Sequence, residues 1–404
     1  MANTPWPSNT PPDCPFEPSP DIRELAFTGR HAEYTGADTW YLSWADDGNC
    51  YSGWTDGNFS IPVEGPDWWL KNLPECSSDS RNPVNAQRGG KSGTGQAKIM
   101  GDDPLNLTLE HLGIEYASPA PYAGRYPCGS LVYNGVWYYG TYCLDESGRT
   151  NELGQKLNWD IQGPFVGFRV SRDYGKTWDE CPHTPANPIF GESGKQGGKV
   201  KIGAPHFVDF GQNLEHSPDG KAYMVGHGAS RPDAEVAWIR GDQAYLIRVP
   251  PSLETMNDPA AWEFFAGHDT RGNPVWMHDF GQIKPLIEWN GRVGHATMTY
   301  NGPLKKYLLC ITDGGTTIST FNTFILESNY ITGPWKLVVF MEKFGQQAYF
   351  VNIPSKFISV DGRTIWLCYS ANFTNHYLGT NWKADPPGSR YAMCLQEVAL
   401  EVAL

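Results

Sequence analysis

The sequence has no apolar run near the ~20 residues that a membrane-spanning helix needs, and no segment keeps a long helical period. Basic clusters are also absent: Lys and Arg total 31 against 44 Asp and Glu, a net charge of −13. Nucleic acid is therefore an unlikely partner, and neither is a membrane expected. An acidic chain does not steer acidic polymers toward itself over long range, so a carboxylate-bearing substrate needs a local Arg or Lys. None of the nine cysteines (Cys14, Cys50, Cys76, Cys128, Cys143, Cys181, Cys310, Cys368 and Cys394) has C-x-x-C spacing or a His-bearing zinc pattern. The odd count leaves at least one thiol unpaired, with disulfides open to the others. No signal peptide leads the chain, and Met1-Ala-Asn-Thr-Pro-Trp reads as a start placed before a mature N-terminus. Together with the acceptor patterns at Asn58, Asn106 and Asn372, this gives the expectation of a secreted, monomeric protein.

What the chain does have is Gly (44), Pro (32), Trp (16) and Tyr (20). That mix suits many short strands joined by turns, with aromatic faces left for packing or for sugars. Residues 1–20 are Pro-rich and read as an extended arm, and residues 21–404 read as one all-β domain. Asp38–Gly57 reads as two strands around Asp46-Asp47-Gly48, and Ser130–Cys143 as a hairpin turning at Asn134-Gly135. Further groups are His206–Phe210, Ala222–Gly226 and Gln243–Val249; Gly294–Tyr300, Lys306–Thr312 and Phe321–Leu326; and Ser355–Val360, Thr364–Ser370 and Arg390–Leu400. Five groups are countable. The stretches 67–121 and 182–200 have room for further strands or for active-site loops. Seven groups of about 58 residues each is the expected count, with the last strand pairing to the first group.

Ser171–Trp178, SRDYGKTW, fits S-x-D-x-G-x-T-W at every specified position. Asp173 is placed to accept turn N–H groups, Gly175 to take a positive φ, and Trp178 to pin the turn to the sheet. The segment resembles the Asp-box of sialidases and related sugar-active β-propellers, a structural corner set away from their catalytic centre. Ser328–Trp335, SNYITGPW, is a weaker second echo. The resemblance implies a propeller and a carbohydrate substrate. No arginine pattern matches the sialidase triad, so sialidase activity does not follow.

Candidate chemistry lies at the ends of inner strands, where a propeller channel opens. Arg125, His206, His227 and His295 stand at such positions, the last two beside small residues (Gly226, Gly228 and Ala296) that leave room for a ligand. For each histidine, a satisfied structural role is the competing reading. A glycosidase needs two placed carboxylates, for which Asp38, Asp56, Asp209 and Asp313 are available. His, Tyr and Arg suit β-elimination on a uronate instead: a base takes the C5 proton, an acid protonates O4, and a cation stabilises the enolate.

At these residues, and in the aromatic stretch GRYPCGSLVYNGVWYYGTYC, the chain resembles the fungal L-rhamnose-α-1,4-D-glucuronate lyases that act on gum arabic, and more distantly the seven-bladed ulvan lyases. The resemblance implies His206 and His227 as the catalytic pair, Tyr300 as their partner, and an acidic plant polysaccharide as substrate. Arg125, Arg231, His295 and Trp40 are the substrate-binding candidates. No cofactor is required, and a structural Ca²⁺ in the channel is left open. Two other readings stand beside it: an exo-acting glycoside hydrolase using Asp38 and Asp209, and a non-catalytic sugar-binding propeller using Trp40, Trp44 and Trp54.

Overall fold

A computed structural model describes residues 3–7, 9–58, 92–114, 125–145, 147–150, 160–193, 200–315, 319–372, 374 and 381–403. Twenty-two strands are found among these residues. In chain order they are β1 (Thr4–Pro5) and β2 (Ile22–Glu33); β3 (Ser43–Trp44), β4 (Cys50–Asn58), β5 (Ser92–Met100) and β6 (Thr108–Ile114); β7 (Arg125–Tyr133), β8 (Val136–Asp145) and β9 (Ile161–Ser171). Then follow β10 (Gly203–Phe207), β11 (Ala222–Gly228), β12 (Gln243–Val249), β13 (Glu263–His268), β14 (Pro274–Met277) and β15 (Pro285–Glu288). The last are β16 (Ala296–Asn301), β17 (Lys306–Gly314), β18 (Phe321–Ser328) and β19 (Lys336–Met341); β20 (Tyr349–Asn352), β21 (Thr364–Ser370) and β22 (Cys394–Val402).

They form five antiparallel sheets, β3–β6, β7–β9, β10–β15, β16–β19 and β20-β21-β22-β2-β1. The protein is a five-bladed propeller, which corrects the seven blades expected from length and resemblance. Two features absorb the extra chain: a third blade with six strands, and long connections such as 59–91 between β4 and β5. The stretch 67–121 supplies β5 and β6, the outer strands of the first blade. Ring closure is the reverse of the expected one. The N-terminal β2 pairs along β22 as an outer strand of the last blade. The N-terminal arm is docked: Trp6 packs on Phe27 and Phe344, and Phe16 on Trp289 and Phe324.

Local chemistry explains the corners. The β7–β8 hairpin turns at Asn134 (φ 49°) and Gly135 (φ 76°), the two positive-φ positions a two-residue turn requires. At Ser171–Trp178, Asp173 accepts from the Thr177 N–H at 2.8 Å and its hydroxyl at 2.6 Å, while Ser171 Oγ accepts from the Gly175 N–H at 2.7 Å. The Thr177 hydroxyl is the largest of the contacts that hold the Asp173 carboxyl down to about 2. Trp178 lies 5.3 Å from the Trp137 ring. Ser328–Trp335 forms the corresponding corner of the fourth blade, joining β18 to β19.

The inner strands run side by side around the axis. Ser43 Oγ accepts from the Val132 N–H, Asp209 exchanges backbone bonds with Met298 and Tyr300, and Thr297 and Thr299 donate to the carbonyls of Val351 and Ile353. Where the second and third blades meet, Gly129 is required: a Cβ there would stand 2.9 Å from the Pro205 carbonyl. The inner strands all begin on one face, here called the upper face. The Asp-box corner lies on the lower face, where Tyr174 donates to Asp46.

No helix among the described residues is long and apolar enough to cross a membrane. Cys14, Cys50, Cys310, Cys368 and Cys394 are thiols, four of them buried, so disulfides do not hold this part of the fold. Cys76 and the 58–60 acceptor pattern lie outside the described residues, apart from the backbone of Asn58. Asn372 is buried at 3% exposure, which corrects its reading as a glycan acceptor.

Candidate functional site

The channel along the axis is lined by all five blades. Tyr41 and Leu42 come from the first, Ser130 from the second, His206 and Asp209 from the third, Thr297 and Thr299 from the fourth, and Asn352 from the fifth. Three histidines converge around it. His206 and His295 have ring centroids 4.5 Å apart, and His227 and His295 6.1 Å. Register explains part of this: Gly203 at the head of β10 pairs with His227 near the end of β11. His295 lies immediately before β16 at the same level of the next blade.

The fourth member of the cluster was not among the sequence candidates. Tyr41 stacks on His206 with centroids 3.4 Å apart, and its hydroxyl lies 2.8 Å from His295 Nε2. It sits in a Trp- and Tyr-rich run in which no periodicity separates an axial ring from core rings. Burial pushes the Tyr41 phenol well above its usual range and pushes His206 and His295 well below theirs, with the neighbouring imidazoles adding to the histidine shifts. Burial brings His227 down to about 4, against the pull of the Ala237 carbonyl that its Nε2 meets at 2.8 Å. Burial thus favours the neutral form of all three imidazoles. Neither ring nitrogen of His206 has a partner among the described residues.

Asp38 lies ahead of β3, on the upper side of this cluster, and is buried. It is held by backbone bonds to Thr55 in β4, each 2.9 Å. Its Oδ2 accepts from Tyr349 Oη at 2.8 Å and Tyr391 Oη at 3.3 Å, and its Oδ1 accepts from Thr39 Oγ1 at 3.0 Å. Burial pushes its carboxyl up to about 6 even though these three hydroxyls oppose the shift. Asp56 follows Thr55 in β4, one residue from the position that pairs with Asp38; its side chain is not among those described.

The remaining candidates are scattered, and three expectations need correction. Tyr300 is at the far end of β16, its ring 4.9 Å from Tyr307 and 5.7 Å from His216, remote from the three histidines. Trp40 is core, 1% exposed and bonded through Nε1 to the Ala37 carbonyl, so it offers no face to a sugar. Asp209 lies at the lower end of the channel and accepts from the Ser355 N–H and hydroxyl and the Gly211 N–H; burial raises it to about 6. It is thus not brought to Asp38. Arg231 is half exposed and bound to Asp242 at 2.8 Å and Asp233 at 3.1 Å. Arg125 opens β7, and its side chain is not among those described. Trp54 is buried and Trp44 partly so, which removes the exposed aromatic platform of the binding-module reading. Among the described residues, no group of three or more His, Cys, Asp or Glu is arranged to hold a metal.

No family model matches the chain, and no curated protein is found similar to it. Solved structures of like outline are known. One is a putative hydrolase of Bacteroides ovatus (12% identity, TM-score 0.49, 95% of this chain and 93% of that one). A second is a β-xylosidase (13%, 0.47, 92% and 94%). A third is the α-L-arabinofuranosidase of Podospora anserina in complex with cellotriose (13%, 0.41, 99% and 97%). At these identities and scores the likeness says nothing of substrate or site residues.

Proposed function

We propose that the protein is a glycoside hydrolase working at the upper mouth of the channel, on a glycoside whose terminal unit enters there. The observation that carries this is Asp38: a buried carboxylate, raised to about 6 by burial, five residues ahead of β3 and held by hydroxyls from another blade. Such a group exchanges a proton near neutrality, as general base catalysis needs. Ionised Asp38 takes a proton from the attacking water as its oxygen bonds the anomeric carbon. A second carboxylic acid protonates the departing oxygen as the glycosidic bond breaks. A site on the axis of a ring favours a chain end over the middle of a polymer, which is the exo-acting mode.

The axial histidines favour a second reading, elimination on a uronate. Tyr41 and His295 are bonded, His206 is stacked on Tyr41, and the hydrolytic step uses none of them. Elimination also needs a cation at the substrate carboxylate. Arg231 is committed to two aspartates, which leaves Arg125 as the other sequence candidate for it.

The test uses a panel of aryl glycosides and plant oligosaccharides, read by release of reducing sugar. On whichever substrate the wild type cleaves, Asp38→Asn is expected to lose about 10²-fold or more in kcat, the usual share of acid–base catalysis. His295→Gln is expected to retain most of it. Loss in His295→Gln with activity kept in Asp38→Asn transfers the assignment to elimination.

A further inference from the structure

Three donors meet Asp38, and they are divided unequally. Among the described residues, Tyr349 and Tyr391 both donate to Oδ2, whereas Oδ1 accepts only Thr39 Oγ1. A carboxylate has about four acceptor sites, so Oδ2 is filled and Oδ1 keeps one lone pair for a further donor. Tyr349 comes from β20, the inner strand of the fifth blade, and reaches across the seam to the first. Its ring is fixed by Trp238 at 5.3 Å and Phe350 at 5.0 Å, so the hydroxyl is aimed before any ligand arrives.

We propose that Tyr349 is a positioning residue for Asp38: its hydroxyl occupies Oδ2, turns the open lone pair of Oδ1 toward the reacting water and favours the ionised carboxylate. The proposal rests on the reading of Asp38 as the base. Among the described residues, the groups facing Asp38 are Tyr349 from β20, Tyr391 ahead of β22, and Thr39 and Tyr41 on its own segment, with Thr55 of β4 bonded to its backbone. No described Lys, Arg or His is bonded to it, so hydroxyls rather than a cation oppose the effect of burial.

The Asp38 carboxyl can be followed by infrared pH titration of the full chain, isolated as the difference between wild type and Asp38→Asn. In Tyr349→Phe, which keeps the ring, the Asp38 midpoint is expected to move up by about one pH unit, the size of one hydrogen bond to a charged group. Tyr391→Phe, with the longer contact, is expected to move it less. On a cleaved substrate, the acid limb of the kcat profile is expected to shift with the midpoint. An unchanged midpoint in Tyr349→Phe overturns the proposal, and so does a larger shift in Tyr391→Phe. If circular dichroism shows Tyr349→Phe unfolded, the hydroxyl is structural, which also overturns it. Full activity in Asp38→Asn contradicts the hydrolase reading, while the titration still reports on Tyr349.

Discussion

Asp38 and Asp209 are the same residue type, both buried and both raised to about 6, yet they stand at opposite ends of one channel. Their neighbours give them different work: two phenols at a mouth for Asp38, a Ser355 cap at a blade junction for Asp209. Opposed shifts in the channel make stability depend on pH in two directions. His227 binds its proton near 6.5 when unfolded and near 4 when folded, so it takes stability away as pH falls through that window. Asp209 has the reverse sign: its folded form keeps the proton up to about 6, so it takes stability away as pH rises from about 4 to 6. Each acts with a limiting slope of ~1.4 kcal/mol per pH unit. Unfolding free energies at several pH values from 4 to 6.5 are therefore expected to rise less steeply with pH in His227→Gln than in wild type, and more steeply in Asp209→Asn. Parallel curves for the three proteins would contradict this. The histidine positions were legible because each stands at an apolar strand, His227 and His295 beside small residues. Tyr300 misled because it shares β16 with the residues after His295 but lies five residues farther on, roughly 16 Å at strand rise. Tyr41 was illegible because an axial ring and a core ring look alike in a run of aromatics.

At the scale of elements, turn chemistry was the most readable signal. The Asp-box and the Asn134-Gly135 hairpin form as their side chains dictate, since these corners are specified within a few residues. Gly175 shows the requirement: its φ is 91°, and a Cβ there would stand 2.8 Å from the Trp137 ring. Gly175→Ala is expected to cost about 1–3 kcal/mol, the range for a strained backbone position. Urea unfolding checks the loss, and activity per folded molecule should be unchanged because the corner is on the lower face. Wild-type stability would show the turn to be relaxed. The inner strand of the fifth blade was not legible. β20 has only four residues, Phe350 has a φ of 56°, and Pro354 follows soon after, so the period-two pattern never develops. The segment Ser355–Val360, read as that strand, instead holds a short turn whose Ser355 caps Asp209.

Across the whole molecule, composition gave the all-β class and the Asp-box resemblance the propeller, but neither gave the blade number. Dividing length by a typical blade assumes uniform blades, whereas the third has six strands and long connections take up the rest. Closure depends on β2 lying along β22, which leaves the N-terminal segment structural rather than a free arm. Removing residues 1–33 is expected to expose β22 as a sheet edge and to yield aggregated or unfolded chain by sedimentation and circular dichroism. A soluble, cooperatively melting product would show that the ring closes without β2. The central claim is that the upper mouth hydrolyses a glycosidic bond with Asp38 as base. It is tested most directly by digesting a cleaved oligosaccharide in water labelled with heavy oxygen and weighing the products. The account predicts one heavy oxygen on the new reducing sugar with wild type and none formed with Asp38→Asn. An unsaturated uronate without label, produced equally well by Asp38→Asn, would contradict it.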